Sequence, residues 1–330
     1  MNVCPATTIN FNAIKNLTCD EMIAVDKLIL ATLSSKVELI NNIGCYIIGN
    51  GGKRLRPLLL LLTANALGGI NECHITMATV VEFLHTASLL HDDVIDEASL
   101  RRGRESANLV WGNAASVLVG DFLYANAFQM MSRTGDVQVM DLVSHTVSTL
   151  TEGEVLQLIN CHNPDTTEAQ YLEVISCKTA ILFRTAAHLA ALISNATPEQ
   201  TQGLINYGLA LGMAFQLIDD TLDYTSNVAE LGKNLGNDLT EGKTTLPLIY
   251  AMQYARPDEA NIIAEAIKKG SADAFQQVYA IVIKTDAIAY TIQRAEEQAE
   301  KAIAALVCLS DSVYKDALID LARFSVQRNH

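Results

Sequence analysis

Leu89-Leu90-His91-Asp92-Asp93-Val94-Ile95-Asp96 and Leu217-Ile218-Asp219-Asp220-Thr221-Leu222-Asp223 set one acidic pattern at two points of the chain, each time at the end of a long apolar stretch. Upstream of them, Val80 to Leu90 and Leu209 to Ile218 carry apolar residues at spacings of three and four, the period of a buried helix. On such a helix the first and fifth positions of the acidic pattern share a face one turn apart, while the second is turned by about 100°. Two carboxylates per motif therefore converge at a helix end that belongs to the core.

An acidic run is most often a solvated helix tip. Repetition at the ends of two apolar helices argues otherwise, because clustered carboxylates at a buried helix end repel one another and lose solvation unless cations stand between them. Oxygen ligands without paired Cys or His point to Mg²⁺ or Mn²⁺ rather than zinc. Mg²⁺ keeps several waters and shares a few carboxylates with substrate phosphates, so two facing acidic clusters imply a metal-clamped polyphosphate ligand.

Working outward, the chain reads as helix after helix with almost no sustained alternation of period two: an all-α fold of about ten to twelve helices in one domain over residues 1–330. Thr18-Cys19-Asp20-Glu21 and Thr197-Pro198-Glu199-Gln200 have the form of helix starts, and Pro57 suits another. Gly68-Gly69, Gly135-Asp136 and Asn163-Pro164-Asp165 read as stops. With 330 residues, half of them apolar, the chain buries a large core. A net charge of −14 and a pI near 4.9 exclude a nucleic-acid partner, which needs a basic surface. Seven cysteines without CxxC spacing predict reduced thiols and no disulfide framework. Neither a basic region with an apolar core nor an Arg-rich presequence precedes Arg54, so cytoplasmic residence is the expectation. The longest uncharged stretch, Thr201 to Ile218, contains Gln202, Asn206 and Gln216 and predicts a buried helix rather than a transmembrane segment. Contact with a membrane surface to deliver an apolar product is compatible with this reading.

A phosphate ligand in so acidic a chain needs locally basic segments. Gly51-Gly52-Lys53-Arg54-Leu55-Arg56-Pro57 sets three cations behind a glycine pair at a helix start, where backbone, helix dipole and side chains all favour an anion. The nucleotide pattern GxxxxGK[ST] is absent. Arg101-Arg102-Gly103-Arg104 follows the first acidic motif closely, and a Gly-rich loop with Lys233 and Lys243 follows the second. Lys178-Thr179 interrupts an otherwise apolar helix from Tyr171 to Ile193, where a lone lysine could also snorkel. His85 stands in a Glu-x-x-His pair with Glu82, a spacing used by di-iron bundles, but the second such pair is missing and phosphate contact is the better reading. His74, His145, His162 and His188 read as structural, and His91, beside Asp92, as either.

Taken together, the two DDxxD motifs, Gly51 to Pro57, the Arg101-Arg102 pair, Lys178-Thr179 and the loop from Gly232 to Pro247 resemble the trans-polyprenyl diphosphate synthase family over nearly the whole chain. Phe83 to His91, Gly112 to Phe122, Glu152 to Leu158 and Ala214 to Ile218 are similar to its bacterial octaprenyl branch. The resemblance implies the isoprenoid-synthase fold, a homodimer, a cavity between the two acidic motifs, and sequential trans addition of isopentenyl diphosphate to an allylic diphosphate. It implies Asp92, Asp96 and Asp219 as Mg²⁺ ligands, with Asp93, Asp220 and Asp223 in support. It assigns Arg101, Lys178, Thr179, Gln216, Lys233 and Lys243 to the allylic substrate, and Gly52, Lys53, Arg56, His85 and Arg102 to isopentenyl diphosphate. It further implies that the products serve as side chains of respiratory quinones.

Ala87 and Ser88, about one turn before Asp92, leave room beneath the allylic site for a growing tail. The resemblance places Met131 at the floor of that passage, although methionine also serves as flexible core packing. Competing readings are a shorter-chain synthase making farnesyl or geranylgeranyl products, a class I terpene cyclase, and a non-catalytic subunit of a heteromeric synthase. The second DDxxD motif and the Gly51 to Pro57 segment favour condensation over cyclisation. Met131→Ala is expected to change the product-length distribution read by mass spectrometry; an unchanged distribution overturns the floor assignment.

Overall fold

The period-three-and-four pattern of the sequence is realised as helices packed on helices. The computed structural model describes residues 9–49, 52–225 and 236–327. Its α-helices are α1 (Phe11–Asn16), α2 (Cys19–Leu33), α3 (Glu38–Gly49), α4 (Leu55–Ala66), α5 (Glu72–Ile95), α6 (Ala107–Trp111), α7 (Asn113–Ser132), α8 (Val137–Asn160) and α9 (Glu168–Ile175). They continue as α10 (Ile181–Ile193), α11 (Pro198–Thr225), α12 (Asn237–Thr240), α13 (Leu246–Tyr254), α14 (Pro257–Lys269), α15 (Phe275–Lys284), α16 (Ala287–Ala305) and α17 (Val313–Gln327). That exceeds the number expected from the sequence, in part because α1, α6 and α12 have only 6, 5 and 4 residues and are too short to carry a period, and because the stretch from Tyr171 to Ile193, read as one helix, forms α9 and α10.

The main core gathers α4, α5, α7, α10 and the first half of α11. Leu58 to Leu62 are all essentially inaccessible, so α4 is apolar all round and is enclosed by α5, α10 and α17. Pro57 sits in the first turn of α4, which begins at Leu55; an N–H is dispensable there. α5 is long and apolar enough to cross a membrane by length and composition, yet 67% of its most apolar window is buried inside the protein. It is a core helix that ends in the first acidic motif. A second core, around Tyr224, Leu248, Ile263 and Val278, joins α13, α14 and α15. A third, with Tyr171, Leu217, Ile218 and Leu246, lies beneath the second acidic motif.

Two local readings are corrected. Thr18 precedes α2 but its hydroxyl makes no capping hydrogen bond, whereas Thr197 and Gln200 exchange the bonds of a capping box, at 3.0 and 3.2 Å. The single helix expected from Tyr171 to Ile193 is interrupted by a π-helical turn, Ser176–Ala180, which carries Lys178 and Thr179. This turn is pressed between α8 and α11 at two glycines. A Cβ on Gly153 would come within 2.8 Å of the Lys178 backbone nitrogen, and one on Gly212 within 2.5 Å of the Ala180 Cα. Six described cysteines are free thiols.

The start of α5 is fixed by a capping box. Asn71 Oδ1 accepts from the backbone N–H groups of Cys73 and His74 at 3.0 and 3.2 Å, while His74 Nδ1 accepts from Asn71 N–H at 3.1 Å. The ring proton is therefore on Nε2, 3.1 Å from Ser194 Oγ at the end of α10. Burial depresses the His74 pKa below 6.5, against a raising hydrogen bond from Ala190. The unfolded chain takes up a proton that the folded chain resists, so this contribution is complete above pH 6.5 and declines as the pH falls below it. His74→Gln is expected to flatten the loss of stability that sets in as the pH falls below 6.5, read by chemical denaturation. Asn71→Ala is expected to lower stability by about 1 kcal/mol.

Candidate active site

A cavity of about 1020 Å³ opens between the end of α5 and the last turns of α11. Asp92 and Asp96 line it from one side, and Asp219, Asp220 and Asp223 from the other. The second residue of each motif is buried: Asp93 turns away from the cavity, as the helical offset allows, while Asp220 keeps an edge on it. Asp93 is fully buried and accepts from Arg101 Nε at 2.8 Å and from Arg101 Nη2. Asp220 is 4% exposed and accepts from Tyr171 OH and Gln216 Nε2, both at 2.6 Å. Burial raises both carboxyl pKa values, while Arg101 opposes the shift at Asp93 and Tyr171 and Gln216 oppose it at Asp220. Asp223 accepts the backbone N–H groups of Asn237 and Asp238, each at 3.1 Å, and so anchors the start of α12.

Cations reach the acidic wall from three different elements. Arg101 comes from a two-residue hairpin in which Leu100–Arg101 pairs antiparallel with Arg104–Glu105. Arg102 and Gly103 at its tip both have positive φ, 52° and 75°, the conformation of a type I′ turn. Lys178, from the π-helical turn, lies 2.6 Å from Glu154 Oε2 and 3.6 Å from Asp92 Oδ2. Thr179 donates to Gln216 Oε1 at 2.9 Å, which links the same turn to the second motif. Lys243, from the loop after α12, donates to Asp96 Oδ2 at 2.8 Å and to Glu241 Oε2 at 2.6 Å. Burial weakens the Lys243 ammonium, but Asp96 and Glu241 outweigh it and raise its pKa. A segment that follows the second motif is thereby tied to the first.

The same cavity is also lined by Gly52, Lys53, Arg56, His85 and Arg102. A Cβ on Gly52 would meet Arg102 Nη1 at 2.9 Å, so the two are in close contact. Arg54, the N-cap of α4 with φ 49°, donates to Glu82 Oε1 at 2.6 Å and approaches Asp26 at 3.7 Å. Burial, followed by Arg56 and Arg102, holds the His85 pKa well below 6.5, so its imidazole is neutral among guanidinium groups. Burial also lowers Arg56 to about 10, which leaves it charged.

The sequence-derived candidates are thus largely brought together. Ser88 lines the cavity beside Leu89, whereas Ala87 and Met131 are buried in the main core and do not line it. Lys233 lies outside the described residues. Sequence reasoning passed over Glu154 and Tyr171. With Glu152 two residues before it, Glu154 had no signal of its own in the sequence; its Oε1 is buried without a hydrogen-bond partner.

The donor set fits a hard divalent cation. Among the described residues, no three His, Cys, Asp or Glu side chains form a closed metal cage. Instead, carboxylate oxygens face the same cavity from two sides, an arrangement suited to a cation that keeps waters and shares ligands with a phosphate.

Residues 37–282 match the family model described as polyprenyl synthetase. The chain belongs to the polyprenyl synthetase family. It is a prenyltransferase, and this family works with divalent metal. This synthetase is 49% identical to the octaprenyl diphosphate synthase of Escherichia coli strain K12 over 97% of this chain and 99% of that one. It is 44% identical to the all-trans-nonaprenyl-diphosphate synthase (geranyl-diphosphate specific) of Rhodobacter capsulatus, over 92% and 94% of the two chains. Its fold matches that of a Caulobacter crescentus polyprenyl synthase complexed with calcium and isoprenyl diphosphate, with a TM-score of 0.95, 39% identity and coverage of 99% and 100%. The synthetase therefore has the all-α isoprenoid-synthase fold that its motifs implied.

Tyr171→Phe removes one of the two side-chain donors to the buried Asp220. In this synthetase it is expected to lower stability by about 1–3 kcal/mol, measured by denaturant unfolding. A loss below about 0.5 kcal/mol would remove Tyr171 as the anchor of the second motif.

Proposed function

We propose that this polyprenyl synthetase is an octaprenyl diphosphate synthase, which adds isopentenyl diphosphate repeatedly in trans to an allylic primer such as farnesyl diphosphate. The observation that carries the reading is one cavity lined both by the carboxylates of two helix ends and by a basic group made of Gly52, Lys53, Arg56, His85 and Arg102. Two ionic ligands of like charge need two such cationic stations. The length of eight units is supported by 49% identity to the Escherichia coli octaprenyl enzyme across nearly both whole chains. One catalytic domain spans residues 1–330 in this reading.

Asp92, Asp96 and Asp219 hold Mg²⁺, or Mn²⁺, on the allylic diphosphate, with Asp93, Asp220 and Asp223 fixing the two helix ends around them. The calcium and isoprenyl diphosphate bound to the Caulobacter crescentus relative support that assignment. When bound, the metal neutralises charge that develops on the leaving diphosphate. Arg101, Lys178 and Lys243 share that task, each already held beside a motif carboxylate. Thr179 and Gln216, hydrogen-bonded to each other, orient the same substrate. Lys233 belongs to the same set by its place in the sequence.

The allylic C–O bond ionises, and its electron pair leaves with the diphosphate. The isopentenyl double bond then attacks the carbocation to form the new C–C bond, and a proton passes from the adduct to a diphosphate oxygen. Gly52, Lys53, Arg56, His85 and Arg102 hold isopentenyl diphosphate in position for that attack. A neutral His85 serves there as a hydrogen-bonding group. Lys243, which bridges the loop after α12 to Asp96, helps exclude water that would quench the cation.

In this reading Ser88, which lines the cavity, marks where the growing tail leaves it, and the tail displaces core packing between α5 and α7 on its way toward Ala87 and Met131. Exposed Leu109, Val110 and Leu118 on α6 and α7, with Val155, Leu158 and Ile159 on α8, supply the apolar face of a homodimer. The enzyme acts in the cytoplasm, contacts the membrane surface to deliver its product, and supplies quinone side chains.

The test is incubation of the purified protein with farnesyl diphosphate, labelled isopentenyl diphosphate and Mg²⁺, with product length read by mass spectrometry. A dominant eight-unit product is expected. A shorter dominant product rejects the length, and turnover of the allylic substrate without isopentenyl incorporation rejects condensation.

A further inference from the structure

Two cations of the basic group are seated on aromatic rings. Arg56 Cζ lies 4.5 Å from the centre of the Phe183 ring on α10. Lys53 Nζ lies 5.3 Å from the centre of the Phe324 ring on α17. Phe324 is itself stacked on Phe11 of α1, with centroids 4.5 Å apart and planes 11° from parallel. Elements from both ends of the described chain thus meet under one lysine of the cavity wall. A ring face attracts an ammonium and restricts its rotamers without neutralising its charge. That property suits a lysine whose task is to meet a diphosphate.

We propose that Phe324, braced by Phe11, is a positioning residue that holds Lys53 toward the isopentenyl diphosphate site. This inference rests on the assignment of Lys53 to that substrate. Phe324 is only half-buried, so its replacement is compatible with folding, whereas Phe183 is 1% exposed and belongs to the core. A ring face in contact with an ammonium acts on substrate binding and leaves the chemistry at the acidic motifs untouched. Its loss should therefore appear in KM for one substrate alone.

The experiment is steady-state kinetics of full-length Phe324→Leu, Phe324→Tyr, Lys53→Gln and the Phe324→Leu/Lys53→Gln double variant, with both substrates varied and the melting temperature of each measured. Phe324→Leu is expected to raise KM for isopentenyl diphosphate roughly 3- to 10-fold, the effect of losing one cation–π contact, with KM for the allylic substrate and kcat unchanged. Phe324→Tyr, which keeps the ring face, is expected to behave as the parent. In the Lys53→Gln background, Phe324→Leu should add nothing, because the group it positions is gone. An unchanged isopentenyl KM in Phe324→Leu, or the same increase with and without Lys53, overturns the positioning role while leaving the Lys53 assignment intact. An unchanged isopentenyl KM in Lys53→Gln overturns that assignment and the positioning role together.

Discussion

The C-terminal end of an α-helix carries partial negative charge, and this protein places carboxylates at the ends of two of them. Asp92 to Asp96 and Asp219 to Asp223 therefore repel both one another and the helix ends that bear them. Countercharge has to be supplied from elsewhere in the chain, and much of the irregular structure does that. The type I′ hairpin delivers Arg101 to Asp93, the π-helical turn delivers Lys178 to Glu154 and Asp92, and the loop after α12 delivers Lys243 to Asp96. Each is a departure from regular α-helix, and each ends in a cation at the same cavity.

The regular helices supply what these departures need, a surround that does not yield. Five successive leucines of α4, the buried flank of α5 and the small residues of α10 make a core in which few side chains have anywhere to move. Polar anchoring follows the same logic. Asp220 is fixed by Tyr171 and Gln216, and Asp223 by the first amides of α12, so these carboxylates of the second motif are held by neutral donors. The first motif relies more on charge. The two acidic ends are alike in sequence but differently supported.

The all-helical class, the two acidic ends and the basic segment at Gly52 to Arg56 were legible because each has a period or a composition of its own. Asp93 and Asp220 were readable in part: the 100° offset of the second position predicts that they turn away, but only the fold shows Arg101 and Tyr171 waiting for them. Glu154 was not legible, since it is one of three carboxylates on its helix, with Asp141 and Glu152, and nothing in the sequence tells which of them meets a lysine. The π-helical turn was hidden for the opposite reason. Its residues, Ser176 to Ala180, fit an α-helical pattern well enough to read as the middle of one long helix. Thr18 shows the limit of local chemistry, because a residue suited to capping stands at the right place and makes no capping bond.

The π-helical turn also sets a rule of length. A wide turn holds one residue more than the α-helical turn it replaces, so every side chain beyond it is rotated relative to an uninterrupted helix. Deleting a single residue between Ser176 and Ala180 would keep the hydrophobic composition and allow a continuous α-helix. It would leave α9 and α10 close to their present register, because the narrower turn spans the same join with one residue fewer, but it would remove the widening on which Lys178 and Thr179 reach the cavity. At this point the protein tolerates changes of side chain more readily than changes of count. Chain length here behaves as a part of the active site.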